Sequence, residues 1–185
     1  MHGAAGLGDP AQQARALGPW QAVAILINNA GTSTGTSLLT GDLDNVRLEL
    51  DTHYFGTLAV IRALAPQLAE QGHSAVLNVL SALSWVSFPN SGAYCAAKSA
   101  EWSLTNALRQ ELAAQGTRVS SLHVGYMDTD MTRSVTAPKS NPADIARIAI
   151  DGIAADDAEI IADEVSKQVL AGLSSGVAGL YPQLA

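Results

Sequence analysis

Cysteine is almost absent from this chain: Cys95 stands alone among 185 residues. No intrachain disulfide can form, which fits a reducing, cytoplasmic setting. Charge is sparse too, with Asp, Glu, Lys and Arg making up 15% of the residues. Ten Lys and Arg against 17 Asp and Glu leave a formal net charge of -7. No basic run tracks a phosphate backbone, so nucleic acid is not expected as a partner. Residues 1–20 lack the basic start and apolar stretch of a signal peptide. No apolar run reaches the roughly 18 residues of a membrane-spanning helix, so no membrane is expected either. The histidines, His2, His53, His73 and His123, show no metal-ligand spacing, and no metal site is expected.

What is present is a 48% hydrophobic chain of the length of one domain, read as a single unit over 1–185. Asp9-Pro10 reads as an N-cap and first-turn proline opening a short helix that Gly18 ends. Residues 22–27 (AVAILI) form a continuous apolar run, expected of a strand buried on both faces. A polar loop over 28–40 follows, then a long helical pattern over 42–71 stopped by Gly72. Residues 75–80 (AVLNVL) read as a second strand, 93–114 as a second long helix, and 119–124 as a third strand. Asn141-Pro142 caps a further helix to about 153. Residues 159–162 (EIIA) are a short fourth strand, and 163–173 a last helix. Repeated strand–helix units imply a parallel sheet with ligands outside its carboxyl edge. The loops after Ile27, Leu80 and Val124 are where chemistry is sought.

Tyr94 and Lys98 lie four apart near the start of a helix and so share one face. A tyrosine titrates near 10, and a neighbouring ammonium lowers that value toward the range of a general acid or base. Ser81 ends a buried strand, where a hydroxyl can donate to a carbonyl oxygen. Asn28, Asn29, Ala30 and Gly31 directly follow a strand, and small residues there let a flat ligand approach the backbone. Each feature alone also has an ordinary structural reading as a helix surface, a loop start or a turn.

Their order and spacing together resemble the short-chain dehydrogenase/reductase family: NNAG after one strand, Ser81 after the next, Tyr94 thirteen residues on and Lys98 four beyond. The segment VGYMDT over 124–129 is similar to that family's turn after its sixth strand. The resemblance runs from about residue 10 to about residue 170. It implies a Rossmann-like, doubly wound α/β sheet and a nicotinamide cofactor, NAD or NADP. It also implies hydride transfer to or from a carbonyl or secondary alcohol. By this resemblance Tyr94 is the proton donor or acceptor, Lys98 lowers its pKa and holds the nicotinamide ribose, and Ser81 stabilises the substrate oxygen. Asn29, Ala30 and Gly31 line the adenosine-side ribose, and Gly125, Met127 and Thr129 the carboxamide. The two long helices are the family's dimer or tetramer interface, with Trp102 and Leu108 candidates for it or for core packing.

Three departures stand out. Only about twenty residues precede the NNAG strand, so the glycine-rich phosphate turn is expected to be missing and the sheet N-terminally truncated. Gly3, Gly6 and Gly8 have the wrong spacing and follow no strand. The 22–27 strand would then be an apolar edge that needs covering, by another copy for example. The family's fourth catalytic residue, an asparagine, falls on His53, which holds a relay water, titrates, or simply packs. Val124 replaces the usual proline before Gly125. The alternatives to an active oxidoreductase are a noncatalytic dimerisation or interaction module and a binding module for another planar ligand. The substrate is a small carbonyl or alcohol compound of unread identity. Trp85, Val86 and Phe88 are candidates for an apolar pocket, and Cys95 is read as a small buried residue.

Overall fold

The computed structural model describes residues 23–184. The expected helix from Asp9-Pro10, the glycines Gly3, Gly6 and Gly8, and the first residue of the 22–27 strand lie outside that range. Among the described residues four parallel strands form one sheet: β1 (Ile25–Asn28), β2 (Ser74–Val79), β3 (Thr117–His123) and β4 (Glu159–Ile161), in that spatial order. Leu26 pairs with Val76, Asn78 with Ser121 and Leu122 with Ile160, so all four carboxyl ends meet at one edge.

Period-two alternation on β2 and β3 divides the core into two layers. Val76 and Val119 point into a cluster with Ile61, Leu64, Leu68, Leu104 and Leu108. Ala75, Leu77 and Leu122 point the other way, to Ile145, Ala149, Ile153 and Ile160. The first layer is made by the helices α2 (Thr57–Glu70) and α3 (Gly92–Glu111), and the second by α4 (Pro142–Ala154). Each helix presents apolar residues three or four apart to the sheet. Helices on both faces of a parallel sheet are the α/β arrangement that the residue pattern implied.

Two expectations are corrected. The run at 22–27 is not buried on both faces: Ile25 and Ile27 are 50% and 45% exposed. Among the described residues β1 is an edge strand, partnered by β2 alone, and only its Leu26 face packs on the first layer. The long helix over 42–71 is not one uniform helix. It begins as α1 (Leu43–Leu50), whose N-cap Asp42 accepts from the Asp44 amide at 2.8 Å. It then widens into a π turn at Asp51–Gly56 before continuing as α2. Such wide turns insert one extra residue and re-aim the side chains around them.

The remaining elements follow their caps. Asn141 accepts from the Ala143 amide at the start of α4. Asp163 caps α5 (Glu164–Gly172) by accepting from the Ser166 amide. A short α6 (Gly176–Leu180) closes the described chain, and the Tyr181 hydroxyl after it accepts from the Ser87 amide. Gly116 turns the chain from α3 into β3 with φ +76, and a Cβ there would sit 2.5 Å from the Gly72 carbonyl oxygen. Only glycine meets both conditions.

Leu68 is fully buried at the centre of the first layer. Leu68→Ala is expected to cost about 2–5 kcal/mol in urea unfolding. A midpoint unchanged from the parent would show that this layer is not packed as described.

Candidate active site

The carboxyl edge of the sheet carries the loops after β1, β2 and β3, as the strand order requires. After β2, Ser81 caps a 3-10 turn at Ala82–Ser84: its hydroxyl oxygen accepts from the Leu83 amide at 3.1 Å. Its own proton stays available to a third group. Tyr94 lies in the first turn of α3 and Lys98 one turn on, so both face the end of β2. The Lys98 ammonium is buried. It donates to the Val79 carbonyl at 2.8 Å and to Glu101 Oε2 at 2.8 Å, and lies 6.0 Å from the centre of the Tyr94 ring.

The π turn carries His53 into the same cluster. Its ring meets that of Tyr94 edge to face, with centroids 5.2 Å apart. His53 Nε2 lies 2.8 Å from the Thr32 carbonyl oxygen and 3.3 Å from the Thr32 amide nitrogen, so it meets the Thr32 backbone as donor to the carbonyl in one tautomer and as acceptor from the amide in the other. Nδ1 is buried with no hydrogen-bond partner, 3.9 Å from Glu101 Oε2. The loop after β1 runs tightly over this ring: a Cβ on Gly31 would meet His53 Cε1 at 2.9 Å. Asn29, Ala30 and Gly31 are exposed on that loop, with Glu49 beneath it accepting from both the Thr34 amide (2.7 Å) and hydroxyl (2.6 Å).

After β3, Val124 accepts from the Ala82 amide, tying this loop to the one that bears Ser81. Gly125 donates its amide to Asp163 Oδ2 at 2.7 Å. Met127 pairs with Ser140 in an isolated bridge, and Thr129 starts a 3-10 turn at Asp130–Thr132. The structure thus brings Ser81, Tyr94, Lys98 and His53 into one cluster, with the 29–31 loop against it. Gly125, Met127 and Thr129 stand on the neighbouring loop of the same edge.

Electrostatics sharpen this. Burial pushes the Tyr94 phenol up to about 12, with Glu101 and Glu49 pushing the same way and a Ser81 hydrogen bond opposing them. This differs from the expected lowering by Lys98: the ammonium is taken up by Glu101 and the Val79 carbonyl. Burial also lowers Lys98 and raises Glu101, and each opposes the shift of the other. His53 falls to about 4, through burial first and the Lys98 charge second. It is neutral at physiological pH, held against the Thr32 backbone rather than poised to titrate there.

Other expectations divide. Cys95 is buried and free, as read. Trp85 is not an open pocket wall: its ring stacks on His123 at 3.8 Å. Val86 is buried, and Phe88 alone of the three is exposed. Leu108 packs in the first core layer, and the half-buried Trp102 donates its indole N–H to Glu159. Sequence reasoning missed Glu49 and Glu101. The available signal was spacing, since Glu49 precedes His53 by four residues and Glu101 follows Lys98 by three, which is one helix face in each case.

Residues 11–140 match the family model for short chain dehydrogenases. The chain belongs to that family. It is 33% identical over 129 residues to an uncharacterized oxidoreductase of Staphylococcus saprophyticus, covering 68% of this chain and 55% of the relative. It is 31% identical over 169 residues to dehydrogenase/reductase SDR family member 7B of Xenopus laevis, covering 88% and 50% respectively. Among solved structures, a short chain dehydrogenase from Burkholderia cenocepacia in complex with NADP superposes with a TM-score of 0.89 at 31% identity. That match covers 95% of this chain and 76% of the other. The chain spans about half the length of the curated relatives it matches.

His123 is also buried and lowered from 6.5 to about 4, mainly by burial. Above pH 6.5 it is neutral whether folded or unfolded, so it adds no pH dependence there. As pH falls from 6.5 toward 4 the unfolded chain binds a proton that the folded chain refuses, and stability is lost. His123→Asn is expected to flatten stability against pH between 6 and 4.5 by up to about 1 kcal/mol per pH unit. Urea unfolding at several pH values measures it, and an unchanged slope would show that His123 titrates normally.

Proposed function

We propose that this chain is the catalytic part of an oxidoreductase, dependent on NAD or NADP, that acts on a small carbonyl compound or secondary alcohol. The observation that carries the reading is the convergence of Ser81, Tyr94, Lys98 and His53 at the carboxyl edge of the sheet. The NADP held by the Burkholderia cenocepacia structure supports the cofactor class.

The donor set suits the nicotinamide end of such a cofactor. The ammonium of Lys98 has three N–H donors and spends two on Val79 and Glu101. The 29–31 loop is exposed and small, open to a flat ligand with hydroxyl groups. The family's phosphate turn has no counterpart among the described residues.

Bound nicotinamide would supply or accept the hydride; the rest falls to the chain. Ser81, beside the Tyr94 hydroxyl, would turn its proton to the substrate oxygen and orient it. Tyr94, fully protonated at neutral pH, gives its proton to that oxygen as charge develops there. Lys98 offers its third donor to the ribose. His53 holds the Thr32 backbone and, edge on, the Tyr94 ring.

A second reading is a noncatalytic interaction module. It is favoured by the groove between α2 and α3, lined by Tyr54, Leu58, Arg62, Leu104 and Leu108. The same two helices are the surface through which a homodimer or homotetramer would form. Among the described residues no helix is long and apolar enough to cross a membrane.

Calorimetric titration with NADH and NADPH separates the two readings. Micromolar binding is expected, with cofactor oxidation dependent on an added carbonyl compound. Tyr94→Phe is expected to cut that turnover by about a hundredfold or more while leaving binding in place. Absence of binding at millimolar cofactor would sink the oxidoreductase reading for this chain and favour the interaction module.

A further inference from the structure

One buried imidazole at the carboxyl edge has no role in the mechanism above. His123, the last residue of β3, is fully buried. Its Nδ1 lies 3.3 Å from the Ser81 carbonyl oxygen. A carbonyl can only accept, so at this contact Nδ1 carries the proton and donates. The ring also stacks on that of Trp85, with centroids 3.8 Å apart and planes 12° from parallel. Ser81 and Trp85 are the two ends of the 3-10 turn at Ala82–Ser84. One side chain therefore meets both ends of the turn that bears the candidate serine. The far nitrogen, Nε2, is buried without a partner, 3.9 Å from Glu159 Oε1, which accepts instead from the Trp102 indole. An unpaired buried nitrogen is a cost that an aliphatic side chain at the end of β3 would not carry.

The rest of the turn is fixed at other points. The Ala82 amide donates to the Val124 carbonyl, and the Ser84 carbonyl accepts from the Ser99 hydroxyl of α3. The Ser81 backbone itself is bonded within the turn by Ser84, whose amide donates to the Ser81 carbonyl at 2.9 Å and whose hydroxyl accepts from the Ser81 amide at 3.3 Å. Among the described residues, His123 is the group that reaches this backbone from outside the turn. We propose that His123 is a positioning residue: by donating to the Ser81 carbonyl, with its ring held on Trp85, it fixes the turn and so aims the Ser81 hydroxyl. It is buried, so it acts through Ser81 and not on substrate. Its action needs no change of protonation. A shift of about 1 Å at a group that orients substrate can cost about a hundredfold in rate, so fixing this turn bears directly on turnover. The inference rests on the oxidoreductase reading for what Ser81 does, whereas the clamp on the turn rests on the geometry alone.

Hydrogen exchange at the Leu83 amide reads the serine without turnover, because that amide donates to the Ser81 hydroxyl oxygen at 3.1 Å. His123→Phe keeps a ring for Trp85 and loses the donor. It is expected to speed exchange at Leu83 about tenfold, the scale of one hydrogen bond, with the amides along β2 unchanged. His123→Asn, whose amide nitrogen falls near the place of Nδ1, is expected to hold Leu83 near the parent rate. His123→Gln, whose nitrogen falls toward Nε2, is expected to follow His123→Phe, and it carries the test if circular dichroism shows that variant unfolded. In turnover of a carbonyl compound, His123→Phe is expected to lower kcat about tenfold with the Kd for NADPH unchanged. In a Ser81→Ala background the same change is expected to lower kcat no further, because His123 acts through that side chain. Parent-like exchange at Leu83 in the folded Phe or Gln variant overturns the proposal, as does equal acceleration along β2. Exchange in His123→Asn as fast as in His123→Phe, or a full further loss of kcat beside Ser81→Ala, overturns it too. A chain that binds no cofactor would sink the oxidoreductase reading and leave the exchange readout to decide this one.

Discussion

The buried contact between Lys98 and Glu101 is the constraint around which the carboxyl edge is organised. Two ionisable groups placed out of water need each other: removing one partner from such a pair leaves an unpaired charge that costs about 3–5 kcal/mol. Satisfying both at once dictates much of the surrounding geometry. Helix α3 must start at Gly92 so that Lys98 reaches the Val79 carbonyl at the end of β2. Helix α2 must bring Thr57 to the second carboxylate oxygen. The strand ends are then tied in through Asn28, Asn78 and Thr105. Every polar atom along this line points inward, which is tolerable only because each has a partner.

The π turn at Asp51–Gly56 is the second element that the site needs. In a regular helix, the residues of 42–71 would keep a single buried stripe. The inserted residue instead delivers His53 between the loop after β1 and the ring of Tyr94. Burial then keeps the imidazole neutral, with its Nε2 against the Thr32 backbone. The cost is the buried, unpartnered Nδ1. A feature that lowers stability locally and sits against the ring of a candidate site tyrosine is in keeping with a functional site.

The two halves of the molecule differ in finish. Around β2 and β3 the sheet is covered on both faces and its side chains interdigitate with α2, α3 and α4. At β1 the described residues cover one face only, and Ile25 and Ile27 lie half open. The candidate site residues lie at the finished side: Ser81, Tyr94 and Lys98 all stand on elements packed into the core, with only the 29–31 loop contributed from the edge strand. Their placement is therefore fixed by the well-packed core.

The sequence by itself determined the strand–helix alternation, the parallel sheet and the family. Those properties are local: apolar runs at 75–80 and 119–124, caps at Asp42 and Asn141, and the spacing of Ser81, Tyr94 and Lys98 along one chain. Helical spacing alone placed Tyr94 and Lys98 on one face. Only the tertiary structure decided what surrounds them. Glu101 meets Thr57 across 44 residues and His53 meets Thr32 across 21, and no local pattern encodes such distances. Whether Lys98 would lower Tyr94 depended on where its ammonium turned, and that is settled by the carbonyl and carboxylate that packing brings to it. The widening at Asp51–Gly56 was illegible for the same reason, whereas the open edge at Ile25 and Ile27 followed from how few residues precede that strand. Periodicity reports which residues share a face, whereas burial and protonation depend on what the rest of the fold places opposite them.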